Sequence, residues 1–203
     1  MSLIESDKNK LLNFYQNLTK KNGIGSHRSL SWNTKDTQHK RFEALSRIGD
    51  LSNKSIVDLG CGYGDLYLFL RKKFRDVKYT GIDINRDFID FAKEKFINDK
   101  NCNFIINDFS DMSFDKADYY FASGAFSLNL KNNNLYFELI EKMFSAAKIS
   151  IGFNLLDKEF HDSDETFLTY DVIDTYKKLR KLSGSIDLIH DYLYYDFTIF
   201  LYK

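Results

Sequence analysis

The apolar pattern of this chain predicts an α/β fold, a doubly wound and mostly parallel sheet behind an N-terminal helical cap. Two observations carry that prediction. Between residues 55 and 153, short runs rich in Ile, Val, Tyr and Phe alternate with segments whose apolar residues recur at helical spacing, and such alternation calls for right-handed βαβ crossovers. The last two strand-like runs, 185–190 and 195–202, lie too close together for a crossover and read as a hairpin, which places an antiparallel strand in the sheet. With 203 residues, 43% of them hydrophobic, the chain has enough apolar side chains for one sizeable core. Residues 1–203 are therefore expected to form a single domain, with 1–50 as cap and 51–203 as α/β core.

Each element has its own signal. Leu11, Phe14, Tyr15 and Leu18 mark one face of a helix over 5–21, which Gly23 stops. A polar link, 22–31, leads through Trp32 into a second helical segment where Phe42, Leu45 and Ile48 share a face. After a turn at 50–53 come strand 55–59, helix 64–74 (Leu66, Phe69, Leu70, Phe74), strand 77–82 and helix 86–97 (Phe88, Phe91, Ala92, Phe96). Strands 103–107 and 118–123 follow. The triple asparagine 132–134 reads as a loop and helix N-cap before helix 134–146 (Leu135, Leu139, Ile140, Met143, Phe144). Strand 148–153 and a helix near 170–182 precede the hairpin, making seven strands.

Composition narrows the function. Lys plus Arg and Asp plus Glu both total 29, so no global field recommends a nucleic acid or an anionic membrane, and a small neutral or mixed-charge substrate fits better. No stretch approaches the roughly 18 consecutive apolar residues of a membrane span, and the polar start lacks a signal-peptide core. Cys61 and Cys102 form neither a disulfide framework nor a metal-ligand spacing, so a cytoplasmic protein without a metal site is expected. Nothing here separates a monomer from a homodimer. The lack of proline and the excess of Lys over Arg follow from an AT-rich genome and carry no structural argument.

The chemistry gathers around Ile56-Val-Asp58-Leu-Gly60-Cys61-Gly62-Tyr-Gly64, a buried strand running into a glycine-paved turn that opens a helix. In open parallel sheets, ligands bind beyond the carboxyl ends of strands where strand order reverses, and glycines there let backbone approach ligand. Nineteen residues past Gly64, Asp83 ends the next strand, placed to accept hydrogen bonds from both hydroxyls of a ribose. Asp65 occupies the position where a dinucleotide fingerprint needs its third glycine. A pyrophosphate would be favoured by the helix N-terminus but opposed by Asp65 and Asp58. S-adenosylmethionine, with no phosphate and with cationic ammonium and sulfonium groups, suits those carboxylates. No Gly-Lys-Ser/Thr follows the turn, which removes a P-loop. At the end of the third strand Asp108 is placed to accept from an adenine amino group while Phe109 or Ile84 packs on the ring. After the fourth strand, Ala122-Ser123-Gly124-Ala125 leaves room for the methionine end and an incoming nucleophile.

At these residues the chain resembles the class I S-adenosylmethionine-dependent methyltransferases. The likeness covers roughly residues 40 to 203: Val57–Gly64 resembles the family's first motif, Gly81-Ile82-Asp83 its second and Asp108-Phe109 its adenine site. It implies a Rossmann-like seven-stranded sheet with an antiparallel last strand, in agreement with the hairpin. It also implies that an arginine in the helical cap, here Arg41, meets the cofactor's carboxylate, and that Trp32 closes over the cofactor. The expected cofactor-binding residues are then Trp32, Arg41, Asp58, Gly60, Cys61, Gly62, Gly64, Asp83, Ile84, Asp108, Phe109 and Ser123, with S-adenosylhomocysteine as product.

The acceptor is less legible. The loop after the fourth strand lacks the Asn/Asp-Pro-Pro-Tyr/Phe that resembles amino-methyltransferases of DNA bases and glutamine, and a chain without proline has no Pro-Cys nucleophile. Polar transfer to oxygen or nitrogen remains. A hydroxyl acceptor needs a base, and His161, then Asp162, Asp164 and His27, lie in loops expected above the strand ends. The basic runs 71–75 and 177–181 fall at helix C-termini, where cations suit the dipole. The expectation is a small-molecule methyltransferase, with an RNA or protein methyltransferase acting through a partner, or a non-catalytic cofactor-binding module, as alternatives.

Overall fold

The computed structural model describes residues 3–132, 134–160 and 163–203. Strands β1 (Ser55–Leu59), β2 (Lys78–Asp83), β3 (Cys102–Ile106), β4 (Ala117–Ala122), β5 (Ala147–Leu156), β6 (Ser185–Leu193) and β7 (Asp196–Tyr202) form one sheet in the order β3-β2-β1-β4-β5-β7-β6. The first five pair in parallel, and β7 runs antiparallel to both neighbours, as the hairpin predicts. Strand order reverses between β1 and β4. Their carboxyl ends therefore flank the crevice in which such sheets bind ligands.

Successive side chains of a strand face opposite ways, so each buried strand feeds two cores. Val57 and Leu59 of β1, with Tyr120 and Ala122 of β4, pack in one layer with α5 (Leu135–Ala146). Ile56, Tyr119 and Phe121 pack in the other with α2 (Lys35–Leu45), α3 (Asp65–Lys73) and α4 (Arg86–Lys95). Helix α6 (Val172–Leu179) is shorter than the stretch 170–182 that the sequence suggests, because the Asp171 side chain caps it by accepting the Asp174 N–H at 2.9 Å. Ile48 lies in a short 3₁₀ turn after α2. Asn134, expected as an N-cap, is itself helical in φ and ψ and makes no side-chain cap bond.

The cap helix α1 (Glu5–Asn22) crosses the carboxyl ends of the strands and is fastened there at three places. The Leu3 N–H donates to Ser110 Oγ at 2.8 Å. Buried Asp7 accepts the Lys131 N–H at 3.1 and 3.2 Å, and Lys10 Nζ donates to the Asn129 carbonyl at 2.7 Å and to that of Glu165. These bonds reach the loops after β3, β4 and β5, so α1 roofs the crevice. No helix among the described residues is long and apolar enough to cross a membrane.

Gly64 opens α3 at φ +70°, and a Cβ there would lie 2.8 Å from the Phe104 ring and 2.9 Å from that of Phe96. Backbone strain and crowding act together, so Gly64→Ala is expected to cost about 1–3 kcal/mol in urea unfolding. An unchanged midpoint would contradict this packing role.

Candidate functional site

The turn after β1 is folded back onto β2: the Gly60 N–H donates to the Ile82 carbonyl at 2.8 Å, and the Gly62 N–H donates to Asp83 Oδ2 at 2.9 Å. Asp83 Oδ1 accepts the Asn85 N–H at 2.9 Å, while Asn85 caps α4 through the Asp87 N–H. Burial pushes the Asp83 carboxyl up to about 6, against the pull of the Asn85, Gly62 and Ile84 N–H groups. Asp58, 2% exposed, accepts the Tyr79 hydroxyl on Oδ2, and its Oδ1 has no partner. Burial lifts Asp58 to about 7; the Tyr79 hydrogen bond opposes this and the Asp83 charge adds to it. The same burial, with Asp58 beside it, pushes the Tyr79 phenol well up.

Around these carboxylates lies a cavity of about 360 Å³. Leu11 and Tyr15 of α1 and Gln38, Arg41 and Phe42 of α2 close it from the cap side. Trp32, Asp58, Gly60, Cys61, Gly62, Asp83, Ile84, Phe109 and Ser123, all expected to bind the cofactor, stand on its wall. Gly64 and Asp108 do not. Gly64 backs onto Phe96 and Phe104, and Asp108 Oδ1 accepts the Ser110 N–H at 3.0 Å and the Ser110 hydroxyl, which makes it a turn former. His161 and Asp162 lie outside the described residues. His27 starts a 3₁₀ turn away from the cavity wall, and Asp164 Oδ1 accepts the Thr166 and Phe167 N–H groups.

Two charges differ from what the sequence alone suggests. Asp65 is balanced by Lys95 at 2.6 Å and accepts from Gln38 at 3.3 Å, so the uncompensated negative charge belongs to Asp58 and Asp83. Arg41 is buried and ion-paired to Asp196 at the start of β7, its guanidinium 4.8 Å from the Trp32 ring centre and 5.6 Å from that of Tyr195. Burial holds the Asp196 carboxyl up at about 6 despite Arg41. Asp196 Oδ1 accepts the Tyr192 hydroxyl at 3.1 Å, and Thr198 Oγ1 links Tyr192 to Asn154, whose Oδ1 accepts the Ser123 hydroxyl at 3.0 Å. Sequence reasoning missed Gln38, Asn154, Tyr195 and Asp196. They reach the wall from helix and strand ends with no motif of their own, whereas Tyr15 was visible in the apolar stripe of α1.

Comparison with known proteins bears on the family and the fold. Residues 56–148 match the family model described as a methyltransferase domain. The chain is 32% identical over 162 residues to a Mycobacterium tuberculosis protein that bears the name methyltransferase, covering 73% of this chain and 93% of that one. Over 95 residues it is 30% identical to a fatty-acid O-methyltransferase of Mycolicibacterium smegmatis, covering 47% of this chain and 32% of that one. In fold it superposes on magnesium protoporphyrin IX methyltransferase from Synechocystis PCC 6803, solved with bound S-adenosylmethionine, at a TM-score of 0.71 and 15% identity over all of both chains.

Asp58 ionises near neutral pH, and the reading that its partnerless oxygen offers the cofactor's cationic groups a counter-charge predicts a pH dependence. A carboxyl lifted to about 7 is largely neutral at pH 5.5 and charged at pH 8. Affinity for S-adenosylmethionine should therefore rise by roughly tenfold between those values, read by calorimetry with net proton release. The cofactor-free fold should move the other way. Unfolded carboxyls titrate near about 3.9, so stability from Asp58 and Asp83 is lost as pH rises from there through their folded values. A flat affinity profile would contradict the assignment.

Proposed function

Because the chain belongs to the class I S-adenosylmethionine-dependent methyltransferases, we propose that it moves the cofactor's methyl group to an oxygen or nitrogen of a small-molecule acceptor. The observation that carries the small-molecule reading is the roof. Helix α1 is fastened over the strand ends, leaving a partly covered cavity whose wall, among the described residues, carries Arg41 as its one cation, in place of a basic groove. The basic run at the end of α3 supports the same view, since Arg71 pairs with Asp99 and Lys73 with Glu43. The name of the M. smegmatis relative, an O-methyltransferase of fatty acids, supports oxygen as acceptor atom.

In this reading Asp58, Gly60, Cys61, Gly62, Asp83, Ile84, Phe109 and Ser123 hold the cofactor, with Trp32 and Arg41 bordering it. When bound, the cofactor supplies a methyl group activated on a sulfonium. The chain's own part is to orient and to exclude water. Tyr15, Leu11 and Trp32 close the chamber above the strand ends, and holding reactants in line is worth up to about 7–11 kcal/mol. The continuous seven-stranded sheet supports a single domain over 1–203, and free Cys61 and Cys102 fit a cytoplasmic setting.

Two measurements test the proposal. Calorimetry should detect binding of S-adenosylmethionine and S-adenosylhomocysteine, and Asp83→Ala should weaken it by about tenfold or more, the loss of a buried charged partner. Methyl-labelled cofactor incubated with fractionated cell extract should label extractable small molecules. Label confined to RNA or protein would overturn the acceptor class, and absence of heat with either ligand would overturn the cofactor site.

A further inference from the structure

The cavity wall carries Asp58 and Asp83 at the ends of β1 and β2, and also Leu128, Leu155, Leu156 and Phe167 with two aromatic rings that solvent reaches, Phe160 at 47% exposure and Tyr194 at 70%. Large apolar rings left exposed at the mouth of a cavity mark a binding surface more readily than scattered surface residues do. These two rings begin a continuous series of contacts running inward. Phe160 and Tyr194 meet edge to face at 5.8 Å, Tyr194 meets Tyr195 at 4.9 Å, Tyr195 lies 5.6 Å from the Arg41 guanidinium, and Arg41 lies 4.8 Å from Trp32. Trp32 is seated on Gly124, just beyond β4, so closely that a Cβ there would fall 2.5 Å from the indole. The series thus joins solvent to the end of β4, beside Ser123.

Charge restricts what this surface can take. Among the described residues of the wall, Arg41 is the one cation, and Asp196 already neutralises it; the remaining charges are the carboxylates Asp58, Asp65 and Asp83. A carboxylate or phosphate on the acceptor would find no free counter-charge and would face buried negative charge. Rings presenting edges and faces, by contrast, suit an aromatic guest.

Resting on the methyltransferase reading above, we infer that the acceptor is an uncharged aromatic compound bearing a hydroxyl or amine, its ring system lying along Phe160, Tyr194 and Tyr195 with the nucleophile toward Ser123. Calorimetric titration of the chain saturated with S-adenosylhomocysteine tests this with three probes: 2-naphthol, the anionic 3-hydroxy-2-naphthoate, and 1-octanol. Naphthol should bind about tenfold more tightly than either other probe, and the surface double variant Phe160→Ala/Tyr194→Ala should lose about tenfold in naphthol affinity while binding S-adenosylhomocysteine as before. Equal or tighter binding of the naphthoate would overturn the uncharged class. Tighter binding of octanol would replace the aromatic body with an alkyl chain, and unchanged naphthol affinity in the double variant would remove the aromatic mouth. Failure of S-adenosylhomocysteine itself to bind is read separately and counts against the methyltransferase site, while the probe ranking on the unliganded chain still decides the aromatic preference.

Discussion

Asp58 and Asp83 stand at the carboxyl ends of adjacent parallel strands beneath the cap helix, both buried and neither paired with a cation among the described residues. Burying a carboxylate is costly unless hydrogen bonds or a cation offset it. Asp83 meets that requirement with the backbone N–H groups of Gly62 and Asn85, and in doing so ties the turn after β1 to the end of β2. Asp58 meets it only halfway, through the Tyr79 hydroxyl, with one oxygen left bare. The turn, the start of α3 and the placing of the cavity all depend on this arrangement. A cationic cofactor would complete it in the reading proposed above.

The cavity joins two environments. One end is set by the register of β1 against β2, Asp58 opposite Gly81 and Leu59 opposite Ile82, which brings Asp83 level with the glycine turn. The other is assembled from β5, the start of β7 and the cap, and is apolar apart from the internally neutral Arg41–Asp196 pair and the Asn154–Ser123 hydrogen bond. In the proposed reading, the unpaired carboxylates face the cofactor's cationic groups and the aromatic surface faces the acceptor. Hydrogen bonds from Leu3 and from α1 to three separate loops hold the cap across both ends.

Much of this was readable in the sequence, for local reasons. Strand–helix alternation and the short spacing of the final hairpin are local patterns, and they gave the seven strands and the antiparallel β7. The glycine turn and Asp83 are also local, each tied to the end of its own strand. What the sequence concealed is long-range pairing. Arg41, which the family resemblance assigns to the cofactor's carboxylate, is paired with Asp196 that β7 brings against it, and Asp65 reads as free charge until α4 supplies Lys95. Asp108, expected at an adenine amino group, uses one carboxylate oxygen in a turn bond to Ser110, two residues away, which its sequence position did not announce. Asp7, an ordinary acidic residue in a first helical turn, gave no sign that it would be buried against the Lys131 N–H.

If Asp58 is kept for the cofactor at the expense of the fold, those two roles separate in one isosteric variant. Asp58→Asn retains an acceptor for the Tyr79 hydroxyl and removes the buried charge. Urea unfolding of the cofactor-free variant at pH 8, with calorimetry of S-adenosylmethionine on the same sample, measures both roles. The account expects a more stable fold and a weaker complex. A less stable fold with undiminished affinity would contradict it.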